Sequence, residues 1–138
     1  MVPRIYLMGG CASLPDLGVG WRREAAAAIE AAGGRPVWPP DIRLVHAGVV
    51  SADHARAMWT SSEHGTEERL RDLRIMAGCD AALCLFDGSQ GAGTAAETAF
   101  AAWLNPQLRI AYAGDRTKLG EAAARAVALG KEKTACRT

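Results

Sequence analysis

Six small or apolar residues in a row, Ala81-Ala82-Leu83-Cys84-Leu85-Phe86, lead through Asp87-Gly88-Ser89-Gln90 into Gly91-Ala92-Gly93-Thr94-Ala95-Ala96-Glu97. A run without polar alternation reads as a strand buried on both faces, the habit of a central strand in a parallel sheet. A glycine-rich turn and a helix start directly after such a strand are the layout of an α/β ligand site. Thr94 then opens a helix, and Glu97 falls in its first turn, facing whatever the loop encloses. An acid there serves as a nucleophile, a ligand anchor or a cap.

The rest of the chain alternates in the same way. Arg4 to Met8 reads as a short strand ending in Gly9-Gly10. Trp21 to Ala32 is an alanine-rich helix stopped by Gly33-Gly34. Arg35 to Trp38 is a second strand, closed by Pro39-Pro40. Asp41 to Val50 reads as loop and Ser51 to Met58 as weakly helical. Glu67 to Ala77 is strongly helical, with Leu70, Leu73, Ile75 and Met76 among charged neighbours. A helix from Thr94 to Leu104 ends before Pro106. Leu108 to Tyr112 is a strand and Thr117 to Leu129 a last helix. Residues 1–130 form one domain, and Lys131 to Thr138 reads as a frayed tail. Alternating strands and helices predict an α/β fold: a mainly parallel sheet of four or five strands, with helices on both faces and right-handed crossovers.

The charge balance removes several classes of partner. A net charge of +1 over 138 residues gives no reason to expect nucleic acid or an anionic membrane surface. No apolar run approaches the roughly 20 residues that span a bilayer, and the N-terminus runs straight into a strand with no signal-peptide layout. Cys11, Cys79, Cys84 and Cys136 make no CxxC pair, and two fall in core-like segments. Free thiols in a reducing cytoplasm are the expectation. His46, His54 and His64 complete no zinc spacing with them. Neither metal nor cofactor is expected.

Chemistry is expected at the strand ends. Three junctions are small or polar: Met8-Gly9-Gly10, Asp87-Gly88-Ser89 with the glycine loop, and Tyr112-Ala113-Gly114-Asp115. Adjacent junctions beside a topological switch form one crevice. Gly9, Gly10, Gly91 and Gly93 let a ligand approach the backbone, and Asp87 and Thr94 supply polar groups. Trp59 precedes the polar run Thr60 to Thr66, a candidate lid; its indole is placed either to stack on a base or simply to pack. Arg43 and His46 fall in the unassigned stretch and read as surface residues.

Three segments, in this order, resemble the nucleoside 2-deoxyribosyltransferase-like superfamily: Ile5-Tyr6-Leu7-Met8-Gly9-Gly10, then Arg71-Asp72-Leu73-Arg74 ahead of Cys79-Asp80-Ala81, then Gly93-Thr94-Ala95-Ala96-Glu97. The likeness spans roughly Arg4 to Tyr112. It implies a single flavodoxin- or Rossmann-like domain that cleaves the N-glycosidic bond of a nucleoside or nucleoside 5'-monophosphate. The sugar passes to water or to another base. It further implies Glu97 as the nucleophile, Tyr6 as a hydroxyl holding that carboxylate in line, and Asp72 as the acid that contacts or protonates the departing base. Family members also assemble, so a homodimer or larger homo-oligomer follows, with alanine-rich Thr94–Leu104 and Thr117–Leu129 and Trp103 as contact candidates.

Each residue has a plainer reading as well. Thr94-Ala95-Ala96-Glu97 is also a capping box, in which Glu97 only satisfies a backbone donor. Tyr6 is also an ordinary strand aromatic, and Asp72 sits among Arg69, Arg71 and Arg74 on what reads as a solvated face. The chain departs from the transferases where they carry an acid before the glycine-threonine pair; here stand Gly91 and Ala92. Its tail does not resemble their polar C-terminal segment. Both departures favour hydrolysis over base exchange. A non-catalytic nucleotide-binding module of the same fold is the alternative. A phosphoribohydrolase of the lysine-decarboxylase-like type shares the glycine-threonine-x-x-glutamate pattern but lacks its lead-in here.

Overall fold

The computed structural model describes residues 1–59 and 62–136, and of residues 62–64 the backbone alone. Four strands form one parallel sheet: β1 (Arg4–Gly9), β2 (Arg35–Val37), β3 (Ala81–Leu85) and β4 (Arg109–Ala113), in the order β2-β1-β3-β4. Six α-helices connect them among the described residues: α1 (Val19–Ala31), α2 (Pro40–His46), α3 (Ala52–Trp59), α4 (Ser62–Ala77), α5 (Ala92–Trp103) and α6 (Leu119–Ala135). The α/β expectation holds, and β3, buried along its whole length, lies inside the sheet. The chain runs outward from β1 to β2, then returns across to β3. The switch of direction therefore falls between β1 and β3, where crevices form in open parallel sheets.

Strand alternation divides the core in two. Ile5 and Leu7 of β1 point to one face, where Leu83 of β3 packs with Ala25 and Ile29 of α1 and Ala122, Ala126 and Val127 of α6. Tyr6 and Met8 point to the other, where Ala82 and Cys84 meet Met76 and Ala101 from the α4 and α5 side. Small residues let α6 lie close on the sheet: a Cβ on Gly130 would sit 2.7 Å from Pro3 Cβ. The alanine stripe of α6 is thus consumed inside the chain and is not a contact face. Gly33, at φ 91°, ends the turn after α1, and Gly34 N–H donates back to Ile29 O at 2.9 Å.

Four boundaries differ from the sequence reading. Residues 40–46 are helical, because Pro40 occupies the first helical position, where its fixed φ starts a helix instead of stopping a strand. Helix α4 begins five residues before Glu67, at Ser62. Helix α5 begins at Ala92, with extended Gly91 before it. Helix α6 continues to Ala135, which corrects the frayed tail over residues 131–135. There Lys133 Nζ donates to Cys79 O at 2.8 Å and ties the last turns to the end of α4. Thr60 and Ser61 of the candidate lid, and the last two residues of the tail, lie outside the described residues. All four cysteines are free. No helix among the described residues is long and apolar enough to cross a membrane.

Candidate functional site

A cavity of about 340 Å³ opens at the C-terminal ends of β1 and β3. Its size lies in the range of small-molecule sites, about 300–1,000 Å³. β1 sends Tyr6 into it from below. The β1–α1 loop forms one wall, the glycine loop and first turns of α5 another, and α3 and α4 the third.

The β1–α1 loop is held by an arginine that sequence periodicity hides on a helix. Arg22 is buried, and its guanidinium donates to Gly9 O at 3.1 Å, Gly10 O at 3.2 Å and Leu7 O and Gly18 O at 3.4 Å. It lies 4.3 Å from the centre of the Trp21 ring, and Trp21 Nε1 donates to Gly10 O at 3.0 Å. Carbonyls rather than carboxylates satisfy this buried cation, so its charge stays available to the acids of the cavity.

Glu97 is not a cap. Because α5 starts at Ala92, Glu97 stands in the second turn, and no side chain caps the helix. Its Oε2 is buried and has no hydrogen-bond partner. A helix N-terminus lowers carboxyls beside it, but burial governs this one. Burial pushes the Glu97 carboxyl up to about 6, while the Tyr6 hydroxyl and the Arg22 charge hold it down. Glu97 is still mostly ionised at neutral pH. The Tyr6 side chain is fully buried, and burial followed by the Glu97 charge pushes its hydroxyl well above the ordinary range, so it remains a donor. The hydroxyl influences Glu97 closely, yet neither Tyr6 Oη nor Glu97 Oε2 reaches hydrogen-bond geometry. Loose contacts of this kind tighten when a substrate closes the site.

Asp72 faces the cavity from α4, not solvent. Its Oδ1 is buried without a hydrogen-bond partner, and burial, then the Glu97 charge, pushes its carboxyl up to about 7. Two carboxyls of different affinity for protons thus share one cavity: one mostly ionised near neutrality, the other close to half protonated. That division is how a site holds a base and an acid at the same pH.

Of the other sequence candidates, Gly9, Trp59, Gly91, Gly93 and Thr94 also line the cavity. Gly10 and Asp87 do not. The Gly10 carbonyl is taken by Trp21 and Arg22, and a Cβ there would sit 2.7 Å from Ser89 O, so Gly10 packs two loops together and does not face a ligand. Exposed Asp87 turns onto its own loop, accepting from Ser89 N–H at 3.0 Å and Ser89 Oγ at 2.5 Å. Trp59 is oriented by Asp41, whose Oδ2 accepts from the indole N–H at 2.9 Å. His46 stacks on Trp38 with ring centres 4.4 Å apart, away from the cavity. Sequence reasoning missed Arg22, Asp41 and Glu68. Glu68 alone left a usable signal, since it precedes Asp72 by four residues and so shares its helix face.

Among the described residues no group of three or more His, Cys, Asp or Glu side chains is arranged to hold a metal ion. Compared with known proteins, the chain matches no family model, no curated protein and no solved structure.

Proposed function

We propose that the protein cleaves the N-glycosidic bond of a nucleoside or nucleoside 5'-monophosphate, with Glu97 as nucleophile. The observation that carries this reading is the Glu97 carboxylate, buried with one oxygen unpartnered in a nucleoside-sized cavity, beside a tyrosine hydroxyl and a second acid. A buried carboxylate with one oxygen unpartnered is poorly solvated, and so more reactive toward an electron-poor carbon.

In the first step Glu97 Oε2 bonds to the anomeric carbon as the carbon–nitrogen bond breaks. The bonding pair leaves with the base, and protonated Asp72 supplies the proton that neutralises it. The Tyr6 hydroxyl steers the Glu97 carboxylate. Positive charge building on the sugar ring is stabilised by the same carboxylate. In the second step water, or another base, attacks the glycosyl ester. Asp72, now ionised, takes the proton, and Glu97 is released. The chain has glycine and alanine, Gly91 and Ala92, where a second base-binding acid would serve exchange, which favours water as acceptor.

The protein also assembles as a homodimer through the outer face of α5 in this proposal. Ala95, Ala99 and Ala102 are exposed along that helix away from the cavity, Trp103 is 84% exposed, and its one charged residue, Glu97, lines the cavity. An apolar face of this kind marks an interaction surface.

Incubation with a panel of ribo- and deoxyribonucleosides and their 5'-monophosphates, followed by chromatography for free base, tests the activity. Release by the wild type and its loss in Glu97→Gln is the expected result. Thermal stabilisation by a panel member with no base released would instead establish a binding module.

A further inference from the structure

One buried acid of the cavity has no part in the proposed bond cleavage. Glu68 of α4 is 8% exposed and lines the cavity one turn before Asp72. Against it stands Asp41 of α2. Both Asp41 oxygens are engaged: Oδ2 accepts from Trp59 Nε1 at 2.9 Å and Oδ1 from Arg71 at 2.9 Å. Burial alone would raise Asp41, but these donors, with Glu68, hold its carboxyl below the ordinary range. Two carboxyls in contact away from water share a proton. The pair keeps the charge on Asp41, which has two outside donors, and the proton on Glu68, pushed up to about 9 by burial and then by the Asp41 charge. Among the described residues, Asp72 and Arg71 on its own helix and Cys11 on the β1–α1 loop also face Glu68.

A protonated carboxyl has one donor and a carbonyl oxygen that only accepts. Here the donor is used on Asp41, which leaves the carbonyl oxygen for the cavity. Independent support comes from the other walls of the cavity. The fully buried Tyr6 hydroxyl, Glu97 Oε2 and Asp72 Oδ1 all lack hydrogen-bond partners. We infer that Glu68 is a base-recognition residue, whose proton bridges to Asp41 and whose second oxygen accepts a hydrogen bond from an N–H group of the nucleobase. The inference rests on the reading of the cavity as a nucleoside site. Asp41, Trp59 and Arg71 then act as positioning residues that fix the orientation of Glu68 through Asp41.

Calorimetric binding of the ribo- and deoxyribonucleosides of adenine, cytosine, guanine and uracil, and of their 5'-monophosphates, to the Glu97→Gln protein, which does not turn them over, provides the test. Glu68→Gln keeps both functions, because its amide N–H₂ donates to Asp41 and its carbonyl still accepts. The tightest member of the panel should bind it within about threefold of the parent. Glu68→Met matches the shape without polar atoms and should weaken binding about tenfold or more, as expected when a buried donor on the ligand goes unmet. Affinity of the parent should fall as pH rises past about 9, where Glu68 ionises beside Asp41. The Glu68→Gln protein should fall less over the same range; ionisation of the base itself is common to both and cancels in the comparison. Equal binding by parent and Glu68→Met, equal losses in Glu68→Gln and Glu68→Met, or superimposable pH profiles would each overturn the assignment of Glu68 and leave the nucleoside site standing. Failure of every member of the panel to bind the parent would overturn the site reading and this inference together.

Discussion

Replacing Glu97 with glutamine removes one charge from a cavity wall and keeps its shape. The effect on stability can be worked from the site. Burial raises the Glu97 carboxyl from 4.5 to about 6, which at about 1.4 kcal/mol per pH unit weakens the ionised folded state by up to roughly 2 kcal/mol. The direction with pH follows from linkage. Below the unfolded value of 4.5 the carboxyl is protonated in both states and no penalty exists. As pH rises, the unfolded chain releases its proton first, so stability is lost until the folded group titrates at about 6. Glu97→Gln has no such loss. It also removes the charge that helps raise Asp72.

The variant should therefore melt higher than the wild type at neutral pH, by several degrees and on the order of 5 °C for a domain of this size. The gap should close as pH falls toward 4.5. Base release should drop by several orders of magnitude in the same protein, since glutamine forms no glycosyl ester. Calorimetric or fluorescence melting at a series of pH values, beside the release assay, reads both effects. A capping glutamate predicts the reverse: about 1 kcal/mol of lost stability or less, with activity intact. Reasoning from burial would be falsified if the variant melted below the wild type at neutral pH, or by a constant gap at every pH.

Tyr6→Phe should lower turnover by far less than Glu97→Gln and leave melting unchanged or slightly raised, because the hydroxyl it removes is buried without a partner; a loss of turnover as deep as that of Glu97→Gln would make Tyr6 more than a positioning group. The pH profile of turnover should be bell-shaped and narrow, needing Glu97 ionised and Asp72 protonated, with apparent limits that belong to the coupled pair near 6 and 7. In Asp72→Asn the alkaline limb should vanish and poor leaving bases should slow more than good ones; equal slowing of both would remove Asp72 from the acid role. Gly10→Ala should impair substrate binding without any contact to substrate, because its Cβ would force Ser89 and the glycine loop outward; unchanged KM would show that the two loops move freely. Light scattering should find a dimer at micromolar concentration and a monomer for Trp103→Glu, and a monomeric wild type would end the assembly proposal.

The sheet was legible because its two inner strands are buried on both faces and so carry unbroken apolar runs, Ile5 to Met8 and Ala81 to Leu85. Helix starts were harder, since the same residues stop one element or begin another. Pro39-Pro40 closes a strand in sequence terms, yet Pro40 also has the backbone angle of a first helical residue and no N–H to lose. The glycine loop was given two residues too many. Ala92 and Gly93 are already helical, and that one shift moves Glu97 from a capping position to an inward-facing one. Tyr6, Asp72 and Glu97 were found through a resemblance in motif order, not through periodicity. Arg22 was missed because charge on an alanine-rich helix reads as solvent-facing, and only the fold shows that loop carbonyls converge on it. Asp41 fell in a stretch read as loop. Its partners Trp59 and Arg71 come from two other helices, a convergence that no local pattern records.

The two faces of the sheet divide the work of the protein. Toward α1 and α6 the packed cluster is apolar, many of its residues alanine, with Asp80 buried at its edge beside Gly130. Toward α4 and α5 the same strands present Tyr6 beneath Asp72 and Glu97, three polar groups whose buried atoms lack partners within the fold. Such groups destabilise a core, and in the proposed reading the substrate satisfies them. Strand parity keeps the two roles apart. Tyr6 pairs in register with Ala82, whose small side chain shares its face, while Ile5 and Leu7 point the other way. A slip of one residue in β1 would turn Ile5 toward the acids and bury the tyrosine hydroxyl against alanines of α6. The register of the central strand pair is therefore set twice, once by the apolar face it must cover and once by the polar face it must leave open.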